Sequence, residues 1–191
     1  MFGPLSMSDT GFAVSTENRS RLARLYTPDP TSGLAIPADE LGDRILSRRA
    51  CFSGGAGLVS TLADYDLFSR LLLGGGAVDG VRLLGSRTVD YLSRNHLPGD
   101  VDIQQFGGAY VADSRYAGVG HGLGIAVMKD PVAYRTLGSG AELSWNGAAS
   151  TAFWVDPTEE ITAILLTQLL PSGSYPLRTR FRQLIYSALI D

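Results

Sequence analysis

This chain is poor in the residues that most often carry cross-links, metals or nucleophile chemistry. It has a single cysteine, Cys51, so no intramolecular disulfide and no cysteine-rich metal site can be built from it. Cys51 is expected to be a small buried residue, as most free cysteines are. It also has a single lysine, Lys129, and the residue three positions before it is Ala126. No Ser-x-x-Lys pair can therefore exist in this chain. Lys129 is not preceded by the glycines of a phosphate-binding loop. The two histidines, His96 and His121, are far apart and lack zinc-site spacing. No metal or cofactor is expected. No Gly-x-Ser-x-Gly elbow occurs, and Gly138-Ser139-Gly140 reads as a flexible loop. Glu159-Glu160 reads as a solvated pair in a turn.

Other absences bound the compartment and the partners. No apolar run is long enough to span a bilayer. The start, Met1-Phe2-Gly3-Pro4-Leu5-Ser6-Met7, shows no basic leader followed by an apolar stretch. The compartment is unknown from sequence and defaults to the cytoplasm. A formal net charge of −3 argues against non-specific nucleic-acid binding and against a basic membrane surface. No internal repeat stands out, and no low-complexity linker divides the chain.

What is present is an ordinary apolar content and 191 residues, enough for one domain or one and a half. Residues 1–50 read as irregular. Thr61 and Asp64 have capping-box-like spacing, and Leu62, Tyr65, Phe68 and Leu72 recur at helical spacing. Gly74-Gly75-Gly76 should stop that helix. Ser86 is expected to cap a second helix with Val89 and Leu92 inward and Pro98-Gly99 at its end. Ser93-Arg94-Asn95 falls at that end, and His96 is expected to play a structural part there. From Gly120 the pattern changes to short strands: Leu123 to Met128, Glu142 to Trp145, Thr151 to Val155 and Ile161 to Gln168. Their short turns imply an antiparallel meander. In the last strand both faces are apolar, so cover on both sides is expected. A terminal helix should start at Pro176, burying a stripe of Leu177, Phe181, Leu184, Ile185, Ala188 and Leu189, with Arg178, Arg180 and Arg182 mostly off it.

Two segments are candidates for function. Ser144-Trp145-Asn146-Gly147-Ala148-Ala149-Ser150-Thr151-Ala152-Phe153-Trp154 sets small residues between the only two tryptophans, and Val155-Asp156-Pro157 follows. Small residues between bulky ones let a backbone approach something else closely. The plainer reading is a strand running into a hairpin turn. Phe52-Ser53-Gly54-Gly55-Ala56-Gly57-Leu58 is a glycine loop, either a backbone lining a cleft or a tight turn before a helix.

These segments, with Pro4-Leu5-Ser6-Met7-Ser8-Asp9-Thr10-Gly11-Phe12 and the run from Gly54 to Pro98, resemble the serine β-lactamase and penicillin-binding-protein superfamily, in its class C-like esterases. The Trp segment resembles their third active-site motif. The resemblance implies an α+β fold: an antiparallel β-meander with a C-terminal helix (120–191) plus a partial helical subdomain and cleft loops (1–119). It is an incomplete class C-type β-lactamase-like fold. It implies that the chain starts inside a family member, past the Ser-x-x-Lys nucleophile and the Tyr-x-Asn motif, neither of which it contains.

The resemblance implies roles for individual residues. The Ala148 N–H would be the second oxyanion donor. Gly147 would keep the strand thin, and Trp145 would stand where Lys or His is usual, unable to transfer a proton. Asn146 and Ser150 stand where glycines are usual. Trp145, Asn146, Gly147, Ala148, Gly54 and Gly55 are the candidate cleft residues, for a small ester or β-lactam-type ligand. The chain alone is expected to be inactive. It is expected to pair as a homodimer, or with a missing N-terminal fragment, over the sheet between residues 121 and 168. The other reading is a truncated, non-catalytic binding or pseudo-enzyme module that oligomerises.

Overall fold

The computed structural model of the protein describes residues 1–42, 52–107 and 116–190. Cys51 lies outside the described residues. In chain order the elements are β1 (Tyr26–Pro28), β2 (Ala35–Pro37), α1 (Asp39–Gly42), α2 (Leu62–Leu73), β3 (Ala77–Val78), β4 (Val81–Arg82) and α3 (Ser86–Leu92). They continue with α4 (Ile103–Phe106), β5 (Val119–His121), β6 (Ala126–Met128), β7 (Leu143–Asn146), β8 (Ala152–Asp156), β9 (Ile161–Leu165) and α5 (Leu177–Ala188). β5 to β9 form one five-stranded antiparallel sheet in sequence order, the meander that the short turns imply. Residues 1–42 are less irregular than their sequence suggests. They hold a 3-10 helix (Thr16–Arg21) and the β1–β2 hairpin.

α2 starts where Thr61 accepts a hydrogen bond from the Asp64 N–H. It ends in a Schellman turn, with Gly76 N–H bonded to Leu71 O, Gly75 N–H bonded to Leu72 O, and Gly75 at φ 58°. Its inward face seals one side of the sheet. Leu72 packs with Ile125, Val127, Leu143, Phe153 and Val155, and Tyr65 and Phe68 close over them. Neighbouring strand residues point to opposite faces, so Trp154 faces the other way and meets α5, with Phe181 at 5.5 Å and Tyr186 stacked at 6.4 Å. The sheet is thus sandwiched between α2 and α5.

Several expectations need correction. Gly85, not Ser86, is the N-cap of α3, and no side chain caps it. α3 ends at Leu92, well before Pro98, which opens a separate 3-10 turn. Leu123 sits in an exposed turn between β5 and β6, because its N–H is taken by Leu92 O rather than by a strand. β9 is an edge strand that is covered in part on both faces, as expected: Ala163 is buried beside Trp154 on one, and Ile164 packs against the Phe153 cluster on the other, while Leu166 just past it is exposed.

The largest correction concerns α5. Leu184 and Leu189 are exposed, and Arg182 is the helix's buried residue. The reason is charge on the sheet. Glu142 and Asp156 are fully buried on the face that α5 covers. Arg182 grips both oxygens of Glu142, while its guanidinium lies 4.8 Å from the Trp154 ring centre. The Tyr186 hydroxyl stands 3.0 Å from Glu142 Oε2 and 2.7 Å from Asp156 Oδ2. A buried carboxylate needs a partner more than a leucine needs cover, so the helix turns Arg182 inward while Arg180 stays exposed. Burial pushes the Glu142 carboxyl upward, and Arg182 opposes the shift. Burial likewise raises the Tyr186 phenol, with Glu142 adding to it.

Candidate active site

The main cleft opens on the α2 side of the sheet, at the end of the β7–β8 hairpin, with a volume of about 530 Å³. One wall is the hairpin itself, with Trp145 opposite Phe153 and Asn146 opposite Ala152. Phe153 forms the floor. Its ring meets Tyr65 edge-on at 5.0 Å and Phe68 at 5.8 Å. Burial pushes the Tyr65 phenol up to about 12, so at neutral pH it stays protonated and cannot act as a base. Trp145 is half exposed and meets His121 edge-on at 5.5 Å.

The facing wall comes from two segments distant in sequence. Ala23, Arg24 and Tyr26 lead into β1, and Leu166, Thr167 and Gln168 follow β9. A parallel bridge joins them: Tyr26 N–H donates to Gln168 O at 2.8 Å, and Leu170 N–H to Tyr26 O at 2.9 Å. Arg24 is held by Asp39 through both carboxylate oxygens. Ser60 is the one serine among the described lining residues. Its hydroxyl pairs with Thr10 Oγ1 at 2.8 Å, and the nearby carboxylate of Asp64 serves Thr10 and the Asp9 N–H. Among the described residues its hydroxyl makes hydrogen bonds only to Thr10 and to Thr61 O, neither of which is a base that would activate a nucleophile. Beyond it lies a smaller polar pocket of about 270 Å³. Asp9 and Arg21 pair at its edge, and that hydrogen bond holds the Asp9 carboxyl below its usual range.

The hairpin tip has a three-residue loop. Gly147 N–H bonds to Thr151 O and Ser150 N–H to Gly147 O, both at 3.1 Å. Ser150 takes φ 67°, the left-handed position that this loop form requires and that favours glycine. A compensating contact holds it there, because its buried hydroxyl donates to Leu169 O at 2.9 Å. On the far side Arg178 donates to Gly147 O through Nη2 and to Thr151 O through Nε. A Cβ at Gly147 would lie 2.4 Å from Thr151 Oγ1.

The candidate residues are thus partly gathered. Trp145, Asn146 and Gly147 line the cleft. Ala148 is exposed at the tip, outside the sheet ladder, and is not among the described lining residues. Its N–H makes no hydrogen bond among the described residues. Gly54 and Gly55 are exposed and do not line the cleft. Sequence reasoning missed Tyr65, Arg24, Tyr26 and Gln168. Tyr65 was legible only as a core position, and the others carry no local signal. His96 contacts Tyr91 O through Nε2 at 2.8 Å, in keeping with a structural part.

The family model "Beta-lactamase" matches residues 1–187. The chain belongs to the β-lactamase family. This β-lactamase-family chain is 34% identical over 177 residues to Protein Rv1367c of Mycobacterium tuberculosis strain H37Rv, covering 91% of the chain and 43% of that protein. It therefore spans less than half the length of the curated relatives it matches. Its fold is similar to that of EstCE1, a hydrolase with promiscuous acyltransferase activity (TM-score 0.74, 22% identity, 97% of this chain and 48% of that one). It is also similar to the LovD6 mutant of simvastatin synthase from Aspergillus terreus (TM-score 0.78, 20% identity, 98% of this chain and 47% of that one). The fold is α+β and corresponds to part of the β-lactamase-like fold. Among the described residues, no helix is long and apolar enough to cross a membrane.

Proposed function

We propose that this chain forms one half of an acyl-transfer site. It supplies a cleft wall and a backbone donor, the Ala148 N–H, to a serine nucleophile carried by another polypeptide segment. The observation that carries this reading is the hairpin tip. Trp145, Asn146 and Gly147 line the cleft, and the turn leaves the next N–H without a hydrogen-bond partner among the described residues. Such a donor can stabilise the charge of a tetrahedral intermediate. Such a segment could add to the unpaired edge of β9.

The substrate that fits best is a neutral ester rather than a β-lactam bearing a carboxylate. The cleft is apolar around Trp145, Phe153, Tyr65 and Leu166. Its one cation among the described lining residues, Arg24, is already neutralised by Asp39.

The test is complementation. The chain alone is expected to leave chromogenic esters and cephalosporins intact and to resist fluorophosphonate labelling. Co-folded with the Ser-x-x-Lys and Tyr-x-Asn portion of a family relative, it should gain ester turnover, with cephalosporin turnover slower. Stoichiometric labelling of one serine in the chain alone, with turnover abolished by its alanine variant, would refute the proposal. A tight complex without turnover, alongside a homodimer of the chain in light scattering, would favour the non-catalytic oligomerising module instead.

A further inference from the structure

We propose that Arg178 is a positioning residue for the Ala148 N–H, fixing and polarising the peptide that presents this donor to the cleft. The inference rests on the reading of Ala148 as the oxyanion donor. It follows from the geometry of one peptide unit. Gly147 C=O and Ala148 N–H belong to the same planar trans peptide, so they point in opposite directions. Whatever holds the carbonyl therefore aims the N–H.

Among the described residues, two groups hold that carbonyl. Ser150 N–H closes the turn on it from within the loop, and Arg178 Nη2 donates to it from α5. The same guanidinium also reaches Thr151 O through Nε at 3.1 Å, on the other arm of the hairpin. A planar fork spanning both arms fixes direction in a way that a single donor cannot. α5 covers the sheet face opposite α2, so a carbonyl drawn toward Arg178 turns the N–H toward the side where Tyr65, Phe153 and Trp145 form the cleft.

Glycine is the residue whose peptide most needs such restraint, since it gives access to backbone conformations closed to other residues. A flipped Gly147–Ala148 peptide would present a carbonyl oxygen to a developing oxyanion and repel it. The positive charge also acts through the amide. A cation on the oxygen draws electron density from the nitrogen and makes the N–H a stronger donor.

The test uses the isotope-labelled chain by NMR. In the wild type, a through-hydrogen-bond coupling is expected between an Arg178 guanidinium nitrogen and the Gly147 carbonyl carbon. Its absence would overturn the proposal without any variant. Base-catalysed exchange of the exposed Ala148 N–H reads its acidity. Arg178→Gln should slow that exchange about tenfold, the change that one unit of acidity gives, and Arg178→Lys should restore part of it. Loss of protection at Gly147 and Ser150 with Ala148 exchange unmoved would show a purely structural clamp and overturn the proposal. In the complemented complex, Arg178→Gln should lower kcat and leave KM unchanged. A wild-type complex without turnover would count against the proposed function alone, because the coupling and exchange results decide the role of Arg178 independently.

Discussion

Phe153 carries both the core and the cleft, and its truncation gives a sharp test of how α2 sits on the sheet. The ring is 5% exposed, is paired across the ladder with Trp145 and Ile164, and meets Tyr65 and Phe68 edge-on. Burying a phenylalanine side chain contributes about 1.5–3 kcal/mol. Each edge-to-face ring pair adds about 0.5–1.5 kcal/mol beyond area. Two pairs bring the expected loss for Phe153→Ala to roughly 3–5 kcal/mol, which agrees with the range for large-to-small aromatic truncations. Phe153→Leu keeps most of the burial and loses the ring edges, so it should cost about 1–2 kcal/mol. Urea unfolding followed by tryptophan fluorescence measures both, and the midpoint should shift at constant slope. Trp145→Ala serves as a control. Its ring is 46% exposed, and the variant should cost less than Phe153→Leu. A loss below about 1.5 kcal/mol for Phe153→Ala would mean that α2 does not clamp the ring, and the account of the cleft floor would fall with it.

Two further predictions concern the buried carboxylate and the hairpin. Burial raises the Glu142 pKa in the folded state to about 7, so the fold binds a proton that the unfolded chain has released. The contribution of Glu142 to stability should therefore be fully present below the ordinary carboxylate range and be lost as pH rises through about 7, by at most ~1.4 kcal/mol per pH unit. Urea midpoints between pH 5 and 8 should show this slope in the wild type and lose it in Glu142→Gln; parallel profiles would refute the assignment. At Ser150, alanine loses the bond to Leu169 O and keeps the left-handed strain, whereas glycine loses the bond and relieves the strain. Ser150→Ala should be the less stable variant by about 1 kcal/mol, and equal midpoints would show that the backbone there is unstrained.

The sequence disclosed what is local. The α2 boundaries were legible because Thr61, Asp64 and the three glycines act within a turn of the helix. The meander was legible because alternating strands and short turns leave few other arrangements. The Trp segment was legible as a hairpin tip because its small residues are contiguous. The facing wall was not, since Tyr26 is bridged to Leu169, with its N–H on Gln168 O, between segments far apart in the chain. The α5 face was misread for a related reason. Apolar periodicity marked Leu184 and Leu189, but the sheet beneath offers Glu142 and Asp156, and no local pattern announces that a buried acid awaits an arginine from another element. Ser150 shows the reverse case. Its departure from glycine was visible in the sequence, while the hydroxyl bond that makes it tolerable was not.

The two inward arginines of α5 act as a ruler. Arg182 meets Glu142 just before one end of β7, and Arg178 meets Gly147 just past the other, so the helix is fastened at both ends of a single strand. Because they sit one helical turn apart, the helix could exchange one fastening for the other only by sliding a whole turn, about 5.4 Å. Sliding that brought Arg182 to the hairpin would leave Glu142 buried with Tyr186 and no cation. Sliding that brought Arg178 to Glu142 would leave the hairpin carbonyls facing Ser174, short of the helix. Intermediate displacements satisfy neither anchor. Helix and hairpin are thereby held in a single discrete alignment along β7.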